Sequence, residues 1–118
     1  MIRWFLVVLT LVAMSLAVVQ PALAHSEENC NMVTIPSLRD CVQHAADEGH
    51  IDNGGVTKSL LAKVDAAQAA LDRGQSAAAV NTLQAFIQEV QAQAGKHIMA
   101  EHAMHMVEHA QAIIQTLN

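Results

Sequence analysis

Four stretches of this chain carry apolar residues at three- and four-residue intervals, and the first three each run into a glycine. Leu38, Cys41, Val42, Ala45 and Ala46 lead to Gly49; Val56, Leu60, Leu61, Val64, Ala67 and Leu71 lead to Gly74; Val80, Leu83, Phe86, Ile87, Val90 and Ala94 lead to Gly95. The fourth stretch begins near Met99 or Ala100 and carries Ala103, Met106, Val107, Ala110, Ile113, Ile114 and Leu117. That period belongs to helices with one buried face, and nothing alternates over enough positions to predict a strand. The connections are a few residues long, so successive helices should run antiparallel. The expected fold is all-α, a compact antiparallel bundle of about four helices.

Local chemistry marks the boundaries. Ile35-Pro36 opens the first helix, because a proline in the first turn lacks only an amide proton that has no helical partner. The turn "DNGG" separates the first two helices, and Ser76 reads as the N-cap of the third. Alanine is abundant at the facing positions, which lets helix axes approach closely and leaves few large side chains to bury.

The segment "MIRWFLVVLTLVAMSLAVVQPALA" precedes the bundle and has another logic. Arg3 is followed by an apolar run from Trp4 to Val19, then by Pro21 and the small-x-small triplet Ala22-Leu23-Ala24, the order of a secretory signal peptide cut after Ala24. The run is shorter than the ~20 residues a spanning helix needs. Cys30 follows "EEN", which lacks the small apolar residues of a lipoprotein-processing site. The expected organisation is a signal peptide over 1–24, a tail over 25–34 and a helical domain over 35–118. The exported protein would be periplasmic or secreted, and not held on a membrane after cleavage.

An oxidising compartment changes the reading of the two cysteines. Cys30 and Cys41 are even in number and not spaced as C-x-x-C, so a disulfide that staples the tail to the first helix is expected.

Composition narrows the partners. Without Arg3, five Lys or Arg face eleven Asp or Glu, a sign that suits neither the phosphate neutralisation of nucleic-acid binding nor an anionic membrane. Trp4 and Phe5 would leave with the signal, so Phe86 is the one aromatic of the cleaved chain, which has no flat ring with which to build a carbohydrate face. The remaining partner class is protein. No G-x-S-x-G elbow, phosphate loop or H-E-x-x-H is present, Ser59 lies beside the core stripe, and no enzyme is expected.

The elements "SLLAK", "AALDRG", "AAVNTLQAFIQEV", "GKHI" and an "AEHA…EHAQAII" helix, spanning about Gly55 to Ile114, resemble the FIMAH-type small helical domain of secreted bacterial proteins. The resemblance implies an extracytoplasmic accessory or interaction module with no assigned catalytic residues and no required cofactor.

The stretch "HIMAEHAMHMVEH" admits a second function. With His102 set at zero on a helical wheel, His109 falls about 20° and His105 about 60° to one side, while Met106 lies about 40° to the other. The three histidines therefore form a strip along the edge of the apolar arc, with His105 and His109 one turn apart, a spacing that suits Cu or Zn. His97 could swing toward His102. Met99 and Met106 fall in the apolar arc and read as core filler, whereas Met104 lies on another side. Cleavage after Ala24 would also make His25 an amine-imidazole chelate for Cu(II). The plainer reading is the boundary of an amphipathic surface helix, and it is preferred. His50, after Gly49, reads as part of the first helix's C-terminal turn.

Overall fold

The structure is a computed structural model and describes residues 30–118. The signal peptide over 1–24 and His25 lie outside the described residues.

Four helices follow in order: α1 (Ile35–Asp47), α2 (Gly54–Asp72), α3 (Ser76–Gln93) and α4 (Ala100–Leu117). Each packs on its neighbours in sequence, and α4 returns to α1, so the four form a closed square rather than a row. The all-α antiparallel bundle expected from the apolar periods is what the chain adopts. Among the described residues no helix is long and apolar enough to cross a membrane.

The core follows the stripes. Leu38, Val42 and Ala45 of α1 meet Leu60, Val64 and Ala67 of α2, Leu83, Phe86 and Val90 of α3, and Ala103, Met106, Ala110 and Ile113 of α4, all buried. Phe86 is the largest fully buried side chain, with alanines filling several of the remaining inward positions.

Helix starts differ in how they are capped. Thr34 Oγ1 accepts from the Ser37 amide at 3.2 Å, and Asn53 Oδ1 accepts from the amides of Gly55 and Val56 at 2.9 and 3.1 Å, satisfying donors that a first turn otherwise leaves without partners. The expectation at Ser76 is corrected. Gln75 holds the N-cap position of α3, Ser76 is already helical, and no side chain caps that end. The connection from α2 is too short for another arrangement: the Gln75 amide bonds back to the Ala70 carbonyl at 2.9 Å, which places Ser76 one step inside.

The α1–α2 and α3–α4 connections share one end of the bundle and hold each other. Gly49 and Gly95 open them with φ of +80° and +75°, the left-handed region that glycine enters without steric cost. Beyond them Ile51 and Ile98 form an antiparallel bridge. The Asp52 amide donates to the His97 carbonyl at 3.0 Å and the Met99 amide to the His50 carbonyl at 2.9 Å. Both isoleucines are buried, so the loops close this end of the core themselves.

Candidate functional site

Two concave features are lined by histidines, one along α4 and one in the loops that precede it. The larger is a groove of about 690 Å³ between α1 and α4, lined by Cys30, Val33, His44, Ala45, His102, His105, Met106, Glu108, His109 and Ala112. Its apolar floor comes from Ala45 and Met106, its rim from imidazoles. The smaller, about 150 Å³, lies between the two pinned loops beside His50, Asp52, His97 and Met99.

One wall of the groove is the segment from Cys30 to Thr34. Cys30 and Cys41 form the expected disulfide, with Cα atoms 5.2 Å apart. His109 adds a second tie by donating its Nε2 proton to the Met32 carbonyl at 2.7 Å, while its Nδ1 faces Cys41 Sγ at 3.7 Å. The carbonyl can only accept, which assigns the proton to Nε2. Met32 and Val33 themselves stay exposed.

The three histidines read from the sequence as one strip, and His97 ahead of them, are given four different partners. His102, His105 and His109 do share the groove edge. His109, however, is engaged with the Cys30–Thr34 segment. His105 is exposed, with Nδ1 3.9 Å from Glu108 Oε2. His97 turns away from His102 and donates Nδ1–H to Asp52 Oδ1 at 2.8 Å. His102 stacks on His50, with ring centroids 3.8 Å apart and planes inclined by 21°. Among the described residues no three His, Cys, Asp or Glu side chains converge as a metal-holding group.

Two residues behave differently from their sequence reading. Met99 is half exposed rather than core filler, because it stands just before α4, where the extended backbone turns its side chain out to meet His50 Nδ1 at 3.0 Å. His50 does more than finish a turn, since it bridges α1's loop to α4 through its ring. The signal for both was present: "GHI" at 49–51 and "GKHI" at 95–98 each put a His-Ile pair just after a helix-stopping glycine, outside any helical stripe. Met106 is buried and Met104 exposed, as their positions on the wheel require.

Burial pushes the titration of His102 below its ordinary 6.5, assisted by repulsion from His50 and opposed by the Glu101 carboxylate. His109 is also lowered, by burial, against the opposing effect of its bond to the Met32 carbonyl. Both groups therefore resist protonation in the folded state while the unfolded chain takes up protons as pH falls through 6.5. Stability from these groups is present above that pH and is lost on acidification. The urea midpoint should fall between pH 7 and pH 5, and the fall should shrink in the double variant H102N/H109N; an equal fall in that variant would assign the effect to other groups.

Elsewhere, Ser59 Oγ donates to Glu89 Oε2 at 2.9 Å and accepts from Lys63 Nζ at 3.0 Å, an interhelical knot between α2 and α3. Lys63 also bonds Glu89 directly.

Comparison with known proteins gives one match. The FIMAH domain model matches residues 35–115, which contain all four helices apart from the last two residues of α4. No curated protein and no solved structure matches the chain. The match spans most of the chain, and the protein belongs to the FIMAH domain family.

Proposed function

We propose that this FIMAH domain is an exported, non-enzymatic interaction module that seats a segment of a partner protein in the groove between α1 and α4. The observation that carries the reading is the groove itself: an apolar floor, a rim able to donate and accept hydrogen bonds, and an exposed apolar side chain, Val33, at its wall, with exposed Met32 next to it in sequence. A polypeptide presents that mixture of apolar side chains and backbone polar groups. The other partner classes lack support. Phe86, the one aromatic residue among those described, is fully buried, and the acidic balance disfavours nucleic acid.

A photo-crosslinking amino acid placed at Ala112, inside the groove, tests this in the exporting host, with the same group at Gln84 on α3 as control. The expected result is one discrete adduct from position 112 that is absent from position 84 and is suppressed by excess unlabelled protein. Identical adducts from both positions, or none from 112, would overturn the groove as the docking surface. An adduct with a second copy of the chain would replace a foreign partner by self-association. Amino-terminal sequencing of the exported protein should give His25; a retained amino terminus would remove the export step.

A further inference from the structure

We propose that His50, Met99 and His102 form a binding site for a soft monovalent metal ion of the Cu(I) class. The site is not the histidine strip of α4. It lies at the pinned end of the bundle, where the α1–α2 loop meets the start of α4, and it draws on a methionine thioether as well as imidazoles.

Three observations meet there. His50 Nδ1 and Met99 Sδ are 3.0 Å apart, inside the ~3.5–4.0 Å at which non-bonded carbon atoms settle, although sulfur is the larger atom. The contact is an N–H···S hydrogen bond when Nδ1 carries the proton, and with the proton on Nε2 it sets an imidazole nitrogen, a borderline donor, beside a soft thioether. The His102 ring lies 3.8 Å from the His50 ring, which adds a second imidazole. Finally, among the described residues His102 Nδ1 is a buried side-chain atom with no hydrogen-bond partner, a position that costs free energy until something occupies it.

The backbone supports this arrangement. The Met99 amide donates to the His50 carbonyl at 2.9 Å, so those two donors come from residues whose backbones are already fixed to one another. Met99 immediately precedes α4 and His102 lies in its first turn, so both meet His50 from one short stretch of chain. With the two rings face to face, their in-plane lone pairs run side by side. Stacked in this way they cannot both point at one ion, so binding would require the His102 ring to turn one edge toward the sulfur.

The donor set selects the metal. A closed zinc site asks for four ligands drawn from thiolate, imidazole and carboxylate, and both cysteines are committed to the disulfide. Two imidazoles and one thioether suit Cu(I), which accepts low coordination and prefers soft donors.

The test uses Ag(I) as a redox-silent probe, which also sidesteps the Cu(II) preference of an amino-terminal His25, followed by Cu(I) under anaerobic conditions against a chromophoric chelator. In protein carrying 13C-methyl methionine, one equivalent of Ag(I) should shift the Met99 methyl resonance and leave that of Met104 in place. M99L and H50N should each weaken binding by about tenfold or more, and M104L should not. Met99 is half exposed, so M99L keeps the fold and its affinity is a clean reading. Parent affinity in folded M99L, a shift at Met104 instead, or binding lost only in H105A/H109A would overturn the proposal. Docking in the α1–α4 groove is read by crosslinking and stands or falls separately.

Discussion

Replacing Phe86 with alanine is expected to cost about 3–5 kcal/mol and to leave a domain that unfolds at a small fraction of the parent's urea midpoint. A chain of this size is held by roughly 5–15 kcal/mol in total, so a loss of that size removes a large share of it. The high end is favoured by the surroundings. Phe86 has no exposed surface, and buried alanines on α1, α2 and α4 (Ala45, Ala67, Ala103, Ala110) set close helix approaches that cannot draw much closer. Rigid Leu60, Val64 and Leu83 complete much of the core, leaving Met106 as the adaptable side chain able to relax into the void. A measured loss below about 1 kcal/mol would mean that the helices collapse around the missing ring, and the picture of an alanine-spaced core would have to be given up.

Opening the disulfide is the second large effect. By loop entropy, Cys30–Cys41, with its separation of eleven residues, is worth on the order of 2–3 kcal/mol. The C30S/C41S protein should keep its helices, because the stripes of α2 to α4, the Val42–Ala46 part of the α1 stripe and the pinned loops lie outside the closed segment, but its urea midpoint should drop accordingly. A second readout follows from where the bridge sits. Without it the Cys30–Thr34 segment is held to α4 through the bond between His109 and the Met32 carbonyl, and weakening of that contact exposes the imidazole. His109 should then titrate closer to its ordinary 6.5, read by NMR. An unchanged His109 titration with unchanged stability would show that the bridge does not anchor the groove wall.

The helices were legible in the sequence because each depends on near neighbours. Apolar residues three and four apart, a proline in a first turn and glycines at three stops are local signals, and they placed α1 through α4 closely. Ser76 failed because a serine before an alanine-rich run looks like a cap whether or not the preceding turn has already committed its backbone. Met99 failed for a related reason: a helical wheel assigns it to the apolar arc only if it is helical, and it lies one residue outside α4. The histidine strip was geometrically sound along α4, yet two of its three members find partners on other elements, His109 at Met32 and His102 at His50, and His97 ahead of it pairs with Asp52. Single-helix projection has no means of supplying those. Ile51 and Ile98 were visible all along as apolar residues stranded in loops, and stranded apolar residues of that kind ask for each other.

The mutual hold of the two loops divides the molecule for the purposes of evolutionary change. With helices alternating in direction, the α2–α3 turn at Arg73–Gln75 sits opposite the Ile51–Ile98 bridge. Extra residues inserted in that turn would lengthen one connection and disturb little else. The same insertion between Gly49 and Asn53, or between Gly95 and Met99, would break backbone bonds belonging to the other loop and uncover both isoleucines. Length variation in relatives of this chain should therefore gather at one pole of the bundle, while the opposite pole holds its length and its two His-Ile pairs together.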